Sequence, residues 1–347
     1  MTPPTTPLAE PGDHLPWLEH DGFQARVRDC LTRRLEEAAH PSRFINDLHA
    51  AHLRCSEAAR ALRRLIEQAP RIATWVGEAV QQHLGLAPET VLFLEPDAPD
   101  APRLSASALE WALRLMRQPP GDETAPEGTR ARLLALDLRT QVQAATDQYW
   151  AQLADGARHS RTAQWRALYR SLLADKAFIA HQLYELSETG FDLVQRLLDA
   201  PTPEDRALAG GPWAQVQVRE LVWAGEGQAR VAIGGALHIA YAPGAEHSQQ
   251  VVYVPGLTRE FHEFASLAEL EFKLPALLNG HDQARLWQRL PLRWRTDLLD
   301  ARFRQPMPFS FTPVALIAGD AVGDSASSLL HLQRDNELAC ALGIVLA

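Results

Sequence analysis

Apolar residues recur every three or four positions along most of this chain and every second position along one stretch of it. From about Trp17 to Gly85 the spacing is helical, and Leu48, His52, Cys55, Ala59, Leu62 and Ile66 form a heptad-like stripe on one face. Pro88 closes that block, residues 95–102 read as a Pro- and Asp-rich loop, and a short helix is expected around Ala106–Met116. Gln118–Gly128 (QPPGDETAPEG) is the clearest linker. Helical spacing returns from Thr129 to about Asp199, with a stripe of Trp165, Leu168, Leu172, Ile179, Leu183 and Leu186. Gly190 is expected to interrupt it, with Phe191–Leu198 as a short following helix.

The rhythm then changes. Val216 and Val218 alternate with polar neighbours, as do Val231 and Ile233, then Leu237, Ile239 and Tyr241, then Val251–Val254, with Gly/Pro turn signals between the runs. This predicts an antiparallel meander burying Val216, Val218, Val231, Ile233, Leu237, Ile239 and Tyr253. Helices are expected around 267–278 and 282–304, a strand or buried extended segment at 309–318, and a helix over 325–347. The fold class that follows is α+β, predominantly helical, with a small antiparallel β-meander near residues 213–256 and a helical hairpin packed on it. The expected organisation is a leader at 1–16, a helical region at 17–117, the linker at 118–128, a helical-plus-meander domain at 129–305 and a C-terminal segment at 306–347. Because Leu338–Ala347 runs apolar to the last residue, that final segment reads as the start of a continuation.

Composition narrows the function classes. The 347 residues are 46% hydrophobic and 22% charged, with net charge −9, ordinary for a globular protein. An acidic balance argues against a nucleic-acid partner, which needs clustered Lys and Arg. Three cysteines exclude a complete disulfide framework. The first sixteen residues carry five prolines and no basic-then-apolar run, so they are not a Sec signal peptide. No stretch reaches the roughly 20 apolar residues of a membrane span.

Candidate chemistry is sparse. His49, His52 and Cys55 are metal-ligand types, but steps of three spread them around the helix axis, so core packing is the better reading. Gly323–Asp324–Ser325 resembles the nucleophile segment of Gly-Asp-Ser esterases, and a hydrolase using Ser325 or a carboxylate pair is an alternative. Only 22 residues follow Ser325, with His331 their one histidine, so a helix N-cap is favoured. His262–Glu263 lacks the second histidine of a zinc-peptidase helix, and there is no Walker loop, G-x-G-x-x-G or C-x-x-C. No carboxylate pair is singled out, and neither catalysis nor a cofactor or metal is expected. One segment looks like a basic amphipathic helix: Arg285, Trp287, Arg289, Arg293, Trp294 and Arg295 form a possible interaction face, and a peripheral membrane-binding module is a further alternative. Packing against the sheet with snorkelling arginines is the favoured reading of it.

Several blocks occur in a specific order: Tyr149–Trp150, KAFIAHQLYELSETGFDLVQRLLDAPT (Lys176–Thr202), GGALHIAYAPG (Gly234–Gly244), VVYVPG (Val251–Gly256) and EFASLAELEFKLPALL (Glu263–Leu278). Together they resemble the dermonecrotic-toxin-type N-terminal domain of large bacterial toxins and effectors, often found upstream of leucine-rich repeats and a ubiquitin-ligase module. The resemblance implies a non-catalytic leading segment for delivery, targeting or protein interaction. It implies a host protein or membrane surface as partner, with downstream domains of the same polypeptide. Secretion or host delivery without a Sec signal is implied, the bacterial cytoplasm otherwise. The ligases use a Cys in a C-x-D context that none of the three cysteines here has, so ligase activity is not carried over.

Overall fold

A computed structural model of the chain describes residues 35–72, 137–153, 158–224, 231–244, 247–278, 282–291 and 310–342, with a few further positions between 30 and 82. The leader, the loop at 95–102 and the linker at 118–128 lie outside the described residues. The helices are α1 (Pro41–Glu67), α2 (Leu138–Ala151), α3 (Arg161–Gln182), α4 (Glu188–Asp199), α5 (Pro203–Ala209), α6 (Leu267–Leu278), α7 (Gln283–Trp287) and α8 (Ala321–Leu342). Local chemistry sets several of their starts. Ser160 accepts from the Ala163 amide at 3.2 Å to cap α3, and Ser187 accepts from the Gly190 amide at 3.0 Å to cap α4. Thr202 and Asp205 form a reciprocal capping box on α5.

The break between α3 and α4 falls at Tyr184, not at Gly190. Tyr184 has φ of 58°, and the Glu185 and Tyr184 amides donate back to the Ala180 and His181 carbonyls at 2.8 and 3.1 Å. That is a Schellman ending with tyrosine where glycine is usual, so its sequence signal is hidden. Gly190 lies inside α4 for a different reason. The Glu263 carboxylate bonds the Ser187 amide and hydroxyl at 2.9 and 2.6 Å, and a Cβ on Gly190 would meet its Oε2 at 2.7 Å.

The sheet has five antiparallel strands, β1 (Val216–Ala224), β2 (Val231–Gly244), β3 (His247–Tyr253), β4 (Phe261–Phe264) and β5 (Ser310–Leu316), in the order β4-β3-β2-β1-β5. The first four are the meander. The fifth settles the alternative left open for 309–318: it is a strand, paired with β1. Helix 321–342, which starts four residues ahead of its expected position, then packs back on β2 and α3.

All seven strand residues expected in the core are buried, but on two faces of the sheet. Val216, Val218, Leu237, Ile239, Val251 and Tyr253 join the core made with α1, α3, α4 and α8. Val231, Ile233, Leu221, Trp223 and Val252 join a second core with α6 and α7. The expected hairpin on one face is therefore a helical layer on each.

The switch of faces within β2 has a local cause. Between the pairs Glu220↔Leu237 and Val222↔Ala232, one residue of β1 (Leu221) faces four of β2 (233–236). Such a bulge shifts the side-chain alternation, so Ile233 faces one core and Leu237 the other. Gly235 sits in it with φ of 76°, and a Cβ there would lie 2.8 Å from both Leu329 and Pro255. A Cβ on Gly234 would meet Leu332 at 2.6 Å. Gly235→Ala is expected to lower unfolding free energy by about 2–4 kcal/mol, combining left-handed backbone strain with overpacking, as read by urea denaturation.

His238, Val252 and His262 lie abreast on β2, β3 and β4. Both histidines are buried, and burial is the main cause that pulls each down to about 4. In the unfolded chain a histidine titrates near 6.5, so between about 6.5 and 4 the unfolded state binds protons that the fold refuses. Their contribution to stability is complete above about pH 6.5 and is lost as pH falls toward 4. Each adds up to about 1.4 kcal/mol per pH unit in that window. Urea midpoints measured from pH 7 to 4.5 should decline, and His262→Gln should flatten the decline.

Candidate functional site

Ser325 lies in the first turns of α8, buried beneath the β2 bulge. Its Oγ donates to the Gly235 carbonyl at 2.7 Å and lies 3.1 Å from the Tyr169 hydroxyl. The single hydroxyl hydrogen is committed to Gly235, so Tyr169 donates to Ser325. Burial pushes the Tyr169 phenol up to about 12 and Tyr253 beside it well above its usual range. Ser328 completes the clamp, accepting from the Gly235 amide at 2.8 Å and donating to the Ser325 carbonyl at 2.9 Å. A nucleophilic serine needs an acceptor base on its hydroxyl. Among the described residues no histidine or carboxylate bonds Ser325, and His331 is exposed farther along α8. The geometry makes Ser325 a fastener of the sheet to α8.

The stripe of α1 is where the spacing put it. Leu48, Cys55, Ala59, Leu62 and Ile66 are buried, and His52 is half-buried. Burial pushes the Cys55 thiol up to about 12, so it remains protonated and unreactive near neutral pH. His49 is exposed, and no group of metal-binding side chains forms among the described residues.

Close to Cys55 lies a buried ion pair. Lys176 Nζ donates to Glu260 Oε1 at 2.7 Å, with 2% and 10% of the two side chains exposed. The Gly256 amide donates to the same oxygen at 2.6 Å, and the Val254 amide donates to the Glu260 carbonyl at 2.9 Å. The pair ties the β3–β4 turn to the middle of α3.

Half of the expected basic face, Arg293, Trp294 and Arg295, lies outside the described residues. The described half turns inward. Arg289 is buried, and its carbonyl accepts from the Gly234 amide at 2.8 Å. Trp287 is half-buried, edge-on to Trp223 with ring centres 4.7 Å apart. Arg285 is partly exposed, 3.4 Å from the Gly256 carbonyl and 4.0 Å from Asp282.

A cleft of about 620 Å³ opens elsewhere, between the C-terminal end of α1, α2, the start of α3 and α8. Ile66, Ile72, Trp150 and Leu330 form its apolar wall. Arg63, Arg166 and Arg334 reach it from three different helices, and Arg71 stands beside them. Arg334 is 3.0 Å from Asp335 and 3.9 Å from Asp147. Arg166 donates through Nε and Nη2 to the Ser327 hydroxyl at 3.3 and 3.1 Å. Burial raises the Glu337 carboxyl above its usual range, and Gln333 donates to it at 2.9 Å. The sequence did not single out these arginines. Each is an ordinary helix-surface arginine in its own segment, and only the packing of three distant helices brings them together.

Comparison with known proteins bears on the segment containing α2 to α7 and the first four strands. Residues 131–293 match the family described as dermonecrotic toxin, N-terminal domain. The resemblance carried by the sequence blocks therefore holds, and the chain includes a toxin-related region. No curated protein matches the chain. The Lys176–Glu260 pair lies within that region and ties α3 to the β3–β4 turn. Lys176→Met should cost about 3–5 kcal/mol by stranding a buried carboxylate, and Lys176→Met with Glu260→Gln should recover much of the loss in urea denaturation. Equal losses in the single and double variants would instead mean that the cost is steric.

Proposed function

We propose that this chain is the non-catalytic N-terminal region of a bacterial secreted toxin or effector, serving delivery, targeting or protein interaction. The observation that carries the reading is the match of residues 131–293 to a toxin N-terminal domain. A second supports its non-catalytic side: the serine with the most suggestive sequence context has its hydroxyl engaged by Gly235 and Tyr169. Among the described residues no helix is long and apolar enough to cross a membrane. Attachment to a host surface would then run through protein contacts or lipid headgroups, with passage of other domains as the outcome.

The test uses the full chain fused ahead of a β-lactamase reporter and applied to cultured host cells, with reporter alone as control. Chain-dependent association or entry of the reporter is expected. Equal signals with and without the chain would overturn the delivery and targeting role. In parallel, esterase and phosphatase screens should detect no turnover that Ser325→Ala abolishes; turnover lost in that variant would revive the hydrolase alternative.

A further inference from the structure

The cleft beside α8 has the size and chemistry of a small-ligand site. Its volume of about 620 Å³ falls within the range typical of small-molecule pockets, roughly 300–1,000 Å³. It is walled by several separate elements and combines one apolar side with converging guanidinium groups. The charge of Arg166 decides what it can take. Its Nε and Nη2 bonds go to the neutral hydroxyl of Ser327, which in turn donates to the Gly323 carbonyl at 2.8 Å. No carboxylate lies within ion-pair distance of Arg166 among the described residues. The bonds to Ser327 fix the guanidinium in place without neutralising it, which is the preorganised state an oxyanion site requires.

Asp147, Asp335 and Glu337 engage groups other than Arg166. Asp147 lies near Arg334 and accepts from Gln143, while Asp335 takes Arg334 at 3.0 Å. Glu337 accepts from Gln333 at 2.9 Å. Glu67 is exposed at the rim, where solvent screens it. From this the geometry points to a binding site for a small amphipathic anion, an apolar body bearing a phosphate or carboxylate group. The charged group lies against Arg166 with Arg63 and Arg71 near it, and the apolar body lies along Ile66, Ile72 and Trp150. This site stands apart from the delivery role: either can hold without the other.

Titration calorimetry at low salt on the full chain tests it, with phenyl phosphate, phenylacetate and neutral benzyl alcohol as probes. Saturable binding of at least one anion is expected, with benzyl alcohol at least about tenfold weaker. Arg166→Gln should weaken the anion at least about tenfold, the loss of one charge-assisted contact. Arg43→Gln changes charge equally at the far end of α1, on a side chain 80% exposed and 3.7 Å from Asp47, and should leave affinity unchanged. Thermal melting accompanies each variant, and Arg63→Gln takes the place of Arg166→Gln if the latter fails to fold. Absence of saturable binding by both anions would overturn the site. So would equal affinity for benzyl alcohol, or equal effects of the cleft and control substitutions.

Discussion

The fold turns on the crowded backbone at Gly234–Gly235. A strand with helices on both sides must satisfy two cores. The bulge in β2 lets one strand do so by sending Ile233 to one face and Leu237 to the other. Shifting the alternation exposes backbone groups that the ladder no longer pairs, and three partners take them up. The Arg289 carbonyl accepts from Gly234, Ser328 accepts from Gly235, and Ser325 donates to the Gly235 carbonyl. Those partners come from the segment after α7 and from α8, so the bulge fastens the last helix to the middle of the sheet. The absence of side chains at 234 and 235 permits the approach of Leu332, Leu329 and Pro255.

A second buried contact performs a related task on the next strand. Lys176 reaches Glu260 from the middle of α3, and the same carboxylate holds the Gly256 amide. A buried ion pair is a costly way to hold two elements, since both charges lose water. What it adds is position: an amine and a carboxylate bond in few geometries, whereas apolar side chains can slide. Outside it, Arg54 clasps Asp175 with contacts of 2.6–3.2 Å, and Trp165, Arg166 and Arg170 bond to residues of α8 or to Asp320 just before it. Helix α3 is thus the strut to which α1, the sheet and α8 are all attached, and the arginine cleft opens along its N-terminal turns.

This arrangement explains why the suggestive residues divide as they do. Ser325, Cys55, Tyr169, Lys176 and the two buried histidines are chemically capable groups committed to holding the interior together. The groups with charge to offer a ligand sit at the seam where α1, α2, α3 and α8 meet. A toxin-related region that joins its neighbours through α3 and α8 places that seam partly outside the matched residues 131–293.

The amphipathic spacing of α1 and α3, the period-two runs of the meander and the Gly/Pro turns were all readable one residue at a time, because each reflects a repeat that a single element must present to a core. The seven expected strand residues are buried for that reason. The ordered blocks also carried the family resemblance. Tertiary structure decided what depends on distant partners. It placed β5 beside β1, put a helical layer on each face of the sheet and took the turn at Tyr184 in a backbone state usually left to glycine. It also turned Arg289 inward and gathered Arg63, Arg166 and Arg334 around one cleft. Periodicity tells a side chain which way to face on its own element; only packing determines what stands opposite it.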